Sequence, residues 1–246
     1  MLTRFFCFFL IVLVQTSYCQ EITIFLVGNS TMANKLWRGG HPETGWGQTL
    51  PLFFTEGVKI QNHAMNGRST KSFLKEGRWD SVVNRVKPGD YIIIEFGHND
   101  SKKEDTAKFA DANTDYRFNL IKFINDAVSK NAIPILATPI VRRRFSKEGN
   151  FYDVHGDYPK VVREVAEEKN VILLDLHKSS EELIISYGEE SSKKLFLHIE
   201  PGEYHSLPKG LKDDTHLSPY GAFRICDLAI TELKAKVPPL AKYIKD

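Results

Sequence analysis

Five short runs of mainly apolar, β-branched residues punctuate the chain: Ile22–Val27, Val58–Asn62, Tyr91–Phe96, Ile133–Thr138 and Val171–Leu174. Each is bounded by turn-forming residues, most clearly Lys87-Pro88-Gly89-Asp90 ahead of the third, so each is expected to be a strand. Longer amphipathic stretches alternate with them and predict helices near 46–55, 78–86, 114–130, 157–169 and 177–187. A last helix is expected to start with Ser218 as N-cap and Pro219 at the first helical position, and to run to about Lys234. Near-continuous apolar strands alternating with helices imply an α/β fold: a mainly parallel five-stranded sheet between two helical layers. The stretches 139–156 and 191–216 read as long connections, which in compact domains often carry function. No repeat or Pro/Gly-rich linker divides the chain, so residues 20–246 are expected to form one domain.

The first residues follow a different pattern. Arg4 precedes the apolar run Phe5–Val14, and the polar stretch Gln15–Gln20 follows. A charged start, a short apolar core and a polar exit read as a secretory signal, and the run is too short for a comfortable membrane span. Cleavage after Cys19 is expected, leaving a secreted or periplasmic protein with no membrane span. A lipid anchor on Cys19 is the alternative, disfavoured by Thr16 and Tyr18. Loss of residues 1–19 takes the formal charge from +2 to +1 and leaves Cys226 as the single cysteine, so the exported protein has no internal disulfide to rely on. So small a net charge gives no reason to expect a nucleic-acid partner. The basic run Arg142-Arg143-Arg144 reads as a solvated loop or helix end.

In parallel sheets, ligands bind beyond the carboxyl ends of the strands, and four polar segments fall at or beyond such ends. Gly28-Asn29-Ser30-Thr31 follows the first strand and could present the Ser30 hydroxyl, although a serine there also caps a following helix. Asn66-Gly67-Arg68-Ser69 follows the second, where an unhindered Gly67 N–H could donate to an oxyanion; a plain turn explains it equally. Gly97-His98-Asn99-Asp100 closes the third, with the Asn99 amide as a donor or as a turn former. Asp213-Asp214-Thr215-His216 precedes the last helix, and an Asp three residues before a His can fix the imidazole tautomer. No H-E-x-x-H or Cys/His ligand cluster points to zinc, and no phosphate-binding glycine motif points to a nucleotide, so neither metal nor cofactor is expected. Separately the segments mean little. Together they supply nucleophile, two oxyanion donors, orienting acid and base.

These ordered blocks resemble the SGNH hydrolases, also called GDSL-like, whose Ser, Gly, Asn and His fall here on Ser30, Gly67, Asn99 and His216. The resemblance implies a flavodoxin-like sheet, Asp213 as the acid of a Ser30–Asp213–His216 triad, and an oxyanion hole from Ser30, Gly67 and Asn99. Asp214 is the competing acid at a less fitting spacing. Asn29 departs from the family, which usually has Asp before the nucleophile. The segments Gly28–Ala33, Gly45-Trp46-Gly47, Asn66–Ser69, Glu95–Asp100, Pro201–Tyr204 and Asp214–Leu217 are similar to rhamnogalacturonan acetylesterases.

That resemblance implies deacetylation of a plant cell-wall polysaccharide or oligosaccharide, with activity falling on the acid side as the base histidine is protonated. Trp46 and Arg68 are candidate sugar contacts, although Trp46 also suits a core position. His63 and His98 are expected to pin loops around the cleft. Lysophospholipids, thioesters and acetylated xylan are alternative substrates for the same set. An α/β-hydrolase of the G-x-S-x-G type is disfavoured because that motif is missing. A non-catalytic carbohydrate-binding protein is the alternative from another class.

Overall fold

The computed structural model describes residues 22–36 and 40–245, so the apolar leader with Arg4, Cys7 and Cys19 lies outside the described residues. Strands β1 (Ile22–Gly28), β2 (Val58–Asn62), β3 (Tyr91–Glu95), β4 (Ile133–Ala137) and β5 (Ile172–Leu174) form one sheet in the order β2-β1-β3-β4-β5. Every pairing in it is parallel.

Alternating side chains leave the sheet on opposite faces, and both faces are covered. Ile24, Leu26, Ile93 and Ile135 pack with Trp46 of α1 (Trp46–Thr49), Ile184 of α6 (Leu176–Ser192), Ile225 of α7 (Pro219–Lys236) and Leu240 of α8 (Pro238–Ala241). Phe25, Val27, Ile92 and Ile94 pack with Phe73 of α2 (Thr70–Lys75), Trp79 of α3 (Arg78–Val83), Phe123 of α4 (Arg117–Ser129) and Val161 of α5 (Tyr158–Glu168). Each such side chain contributes roughly 1.5–3 kcal/mol through burial. Cys226 lies inside the first cluster as a free thiol, which burial pushes up to about 12.

Several expected boundaries move for local reasons. The helix expected over 46–55 is a four-residue α1 that tightens into a 3-10 turn, Leu50–Phe53, where Pro51 supplies no N–H. Helix α2, which the sequence did not predict, begins directly after the Asn66–Ser69 segment. Ser69 accepts from the Ser72 N–H while Ser72 Oγ accepts from the Ser69 N–H, a reciprocal cap that starts the helix. A π-turn at Ala112–Tyr116 leads into α4. Helix α6 runs on to Ser192 with a break at Gly188, whose φ of 71° is not helical.

The stretch 191–216 is not a loop. It holds a 3-10 turn, Lys193–Leu195, then β6 (Phe196–Ile199) and β7 (Leu211–Leu217), which pair antiparallel as a separate two-stranded ribbon. Its register jumps: Phe196 faces Leu217 and the next residue, Leu197, faces Asp213. Residues Asp214, Thr215 and His216 are therefore extruded as a bulge, a device that re-aims side chains. Among the described residues no helix is long and apolar enough to cross a membrane.

Candidate active site

Strand β1 has β2 on one side and β3 on the other, so the direction of winding reverses across it, which is where such sheets open a crevice at their carboxyl edge. Ser30 lies two residues past the end of β1. The second block stays beside it because the ladder continues past β2: the His63 N–H donates to Leu26 O at 2.8 Å and the Met65 N–H to Gly28 O at 3.0 Å. Gly67 then turns with φ of 75°, and open space surrounds the position a Cβ would take. Backbone conformation, rather than crowding, demands glycine there. Asn99 Nδ2 donates to Arg68 O at 3.0 Å, joining the third block to the second. Asp100 locks this junction, accepting from the Thr70 N–H at 2.8 Å, the Thr70 hydroxyl at 2.6 Å and the Gly97 N–H at 3.1 Å.

The β7 bulge brings in the fourth block. His216 Nε2 stands 3.0 Å from Ser30 Oγ, and His216 Nδ1 stands 2.7 Å from Asp213 Oδ2. Asp213 Oδ1 accepts the backbone N–H groups of Thr215 and His216 at 2.7 and 3.0 Å, so one carboxylate holds both the ring and the backbone that carries it. Burial alone would raise this carboxyl, but the His216 ring and backbone donors hold it well below the usual carboxylate range. A proton on Nδ1 shared with Asp213 leaves Nε2 as the acceptor for the serine hydroxyl. This line can move a proton away from Ser30 and back.

Asp214 faces elsewhere. It accepts from Arg143 Nη1 at 2.8 Å and Arg144 Nη1 at 3.2 Å, and contacts His198 Nε2 at 2.7 Å. This corrects the reading of Arg142–Arg144 as a solvated run. Arg143 is buried, donating also to Ser192 Oγ and to Glu189 O, and its own N–H donates to Asp214 O. Arg142 donates to His98 O at 3.2 Å and Thr215 Oγ1 at 3.3 Å. The stretch 139–156 thus clamps the bulge that carries His216.

Trp46 is corrected too. It is fully buried and its indole N–H donates to Glu95 Oε2, so no sugar can stack on it. Arg68 remains at the rim, bound to Glu76 Oε2 at 3.0 Å and to Asn66 O at 2.8 Å. His63 stacks on Phe25 with ring centres 5.8 Å apart. His98 is buried and neither ring nitrogen has a hydrogen-bond partner among the described residues, so it fills space instead of pinning a loop by hydrogen bonds; burial, then His155, Arg142 and His216, push its pKa well down.

Glu95 is the residue whose role the sequence reading did not assign, although a carboxyl inside the most apolar strand was a visible signal. Thr31 Oγ1 lies 2.8 Å from Glu95 Oε1 and 3.0 Å from Asn29 Oδ1. One hydroxyl has one proton. Were both acceptors unprotonated they would compete for it; a neutral Glu95 donates to Thr31, which donates to Asn29. Burial pushes Glu95 in that direction, up to about 7. This relay brackets Ser30 and fixes its loop, and among the described residues the buried Asn29 Nδ2 has no hydrogen-bond partner.

A pH dependence follows. Unfolded Glu95 gives up its proton near the ordinary 4.5, whereas the folded chain holds it to about 7. Below the lower value the stabilising effect is complete, and it is lost as pH rises through the higher one. Melting temperature is expected to fall between pH 5 and 7.5, and Glu95→Gln to flatten that slope in a thermal-denaturation series; an unchanged slope contradicts the neutral carboxyl.

Two clefts border these blocks. A cavity of about 540 Å³ adjoins the first two and is lined by Asn34, Lys35, His41, Glu43, Asn62 and Asn66 among others. Lys35 Nζ is paired with Glu43 at 2.7 Å, so the lysine in this lining carries its counter-ion, beside apolar Ala33, Leu36, Ala64 and Met65. A second cleft adjoins the other two blocks. Farther out, Asp153, His155 and His177 bring ligand atoms within 4.8 Å of one another, close enough to hold a metal ion. His155 Nδ1 lies 2.7 Å from Asp153 Oδ1 and His177 Nε2 lies 3.1 Å from it, from segments whose spacing carries no ligand motif.

Comparison with known proteins identifies the family and the fold. The family model described as GDSL-like Lipase/Acylhydrolase matches residues 26–222. Rhamnogalacturonan acetylesterase RhgT of Bacillus subtilis (strain 168) is 36% identical over 225 residues, covering 92% of this chain and 95% of that protein. A probable rhamnogalacturonan acetylesterase of the same organism, YesY, is 30% identical over 221 residues, 90% of this chain and 96% of that protein. The crystal structure of Bacillus subtilis YxiM superposes with a TM-score of 0.75 at 27% identity, over 87% of this chain but only 56% of that one.

Proposed function

Because the chain belongs to the GDSL-like lipase/acylhydrolase family and is a serine carboxylic ester hydrolase acting as a carbohydrate acetylesterase, we propose that it deacetylates rhamnogalacturonan through an acetyl-Ser30 intermediate. The observation that carries the mechanism is the continuous line Asp213–His216–Ser30, with contacts of 2.7 and 3.0 Å. His216 Nε2 takes the hydroxyl proton as Ser30 Oγ attacks the acetyl carbon. Asp213 steadies the imidazolium. The new oxyanion accepts from the Ser30 and Gly67 N–H groups and from Asn99 Nδ2. As the bond from acetyl carbon to sugar oxygen breaks, His216 returns its proton to that oxygen and the sugar leaves. A water then repeats the cycle, releasing acetate and restoring Ser30.

Support for the polymer comes from the two relatives named for rhamnogalacturonan, which match along almost the full chain. The test is acetate release from acetylated rhamnogalacturonan against acetylated xylan. At least ten-fold higher kcat/KM on the first is expected; equal or inverted values refute the polymer assignment while leaving the esterase intact.

Asn99→Ala examines the oxyanion role. Removing one preorganised donor costs about 10²–10³ in kcat in hydrolases of this logic. The expected result is a fall of that size with KM little changed. A pure KM effect instead makes Asn99 a binding residue.

A further inference from the structure

Beyond the carboxyl ends of β4 and β5 the stretch 139–156 meets the start of α6, and Asp153, His155 and His177 converge there. Both histidines are more than nine-tenths buried, at 3% and 7% exposure. Each has a buried Nε2 with no hydrogen-bond partner among the described residues. Two such orphaned nitrogens in one place are costly unless a ligand satisfies them.

Backbone hydrogen bonds set the geometry of the cluster. The His177 N–H donates to Thr138 Oγ1 at 2.7 Å, directly after β4. Asp153 Oδ2 accepts the His155 backbone N–H at 3.1 Å, which leaves Oδ1 for the two rings. His155 Nδ1 lies 2.7 Å from Oδ1 and His177 Nε2 lies 3.1 Å from it. The first contact is a hydrogen bond; the second has the length of one but not its geometry. Two imidazoles and a carboxylate are donors that zinc takes at about 2.0–2.2 Å, and tetrahedral ligands at that distance stand about 3.4 Å apart. Both contacts need open only a little to admit the ion. Calcium and magnesium want oxygen ligands, and a single carboxylate offers them little.

We infer that Asp153, His155 and His177 bind one zinc ion, which staples the stretch 139–156 to α6. Three protein ligands leave a position for water, and the Asp153 side chain, 30% exposed, gives the ion a way in. The stapled stretch carries Arg142 and Arg143, which hold Thr215 and Asp214 in the bulge that presents His216. The His155 ring also meets the His98 ring edge-on, with centres 4.9 Å apart, directly beside Asn99. The ion thus braces the loops that present Asn99 and His216. Its role is separate from acyl transfer, so the inference stands or falls independently of that chemistry.

The experiment titrates tag-free protein, stripped with a chelator and dialysed, with Zn²⁺ in a calorimeter and follows its melting temperature. One equivalent is expected to bind, and a free concentration about 100-fold above the dissociation constant should raise the melting temperature by about 5–10 °C. Co²⁺ in its place should give the visible absorption of a four- or five-coordinate site. Asp153→Asn, at the surface where folding is not at issue, should weaken zinc binding by at least about ten-fold. His177→Gln should abolish the Co²⁺ bands, and His205→Gln, at an exposed histidine elsewhere, should change nothing. Amide exchange across 139–156 should slow when zinc is added. No saturable binding overturns the site, as does binding that survives Asp153→Asn and His177→Gln. Binding lost with His205→Gln means an adventitious ion only and overturns it equally. Ca²⁺ matching Zn²⁺ overturns the zinc assignment, and unchanged exchange across 139–156 overturns the staple.

Discussion

Ser30→Ala is expected to lower kcat on an aryl acetate by about 10⁶, leaving a residue of catalysis from the oxyanion donors and from binding. The size of the effect follows from the chemistry. Without Oγ no acetyl-enzyme forms, and His216 can at best activate a water that the site was not shaped to place. Alanine removes one oxygen from a loop otherwise fixed by Asn29, Thr31 and Glu95, so melting temperature should hardly move. A small kinetic loss in a folded protein would mean that another group attacks the ester.

The next largest effect is expected at the acid. Asp213→Asn should cost about 10⁴ in kcat, because an amide NH₂ facing His216 Nδ1 favours the tautomer that carries its proton on Nε2, where the base must be free. The informative control is the neighbouring Asp214. Its carboxylate closes a partly buried network with Arg143, Arg144 and His198 and never reaches His216. Breaking a fully buried pair costs about 3–5 kcal/mol, and the partial exposure of Asp214 and Arg144 reduces that here. Asp214→Asn is thus expected to lower the melting temperature by several degrees while kcat, measured where the variant is folded, changes less than ten-fold. Opposite outcomes for the two residues would exchange their roles.

The contrast between these neighbours shows what the sequence can carry. Strands β1, β3 and β4 were legible because they are buried on both faces, whereas Ser30, Gly67 and Asn99 each read equally well as part of a cap or turn and stood out only as an ordered set. Asp213 was separable from Asp214 by spacing. What was not legible depends on partners far along the chain. Arg143 reads as part of a solvated basic run until Asp214, 71 residues later, is brought against it. Strand β7 reads as a polar loop because Lys212, Asp213, Asp214 and His216 give it no alternating apolar pattern, and only its pairing with β6 makes it a strand. Trp46 fits a sugar platform or a core equally well by type; its indole bond to Glu95, 49 residues away, decides for the core. Helix α2 escaped because six residues held by a serine cap leave too little periodicity to see.

The catalytic claim reduces to which oxygen becomes acylated and what makes it reactive. Titration of the folded enzyme with a fluorophosphonate, followed by peptide mass mapping, measures both. One equivalent of label per chain on Ser30 is expected, with His216→Ala slowing its attachment by several orders of magnitude. Label on a different side chain, or unlabelled Ser30 in enzyme that still hydrolyses aryl acetates, contradicts the account.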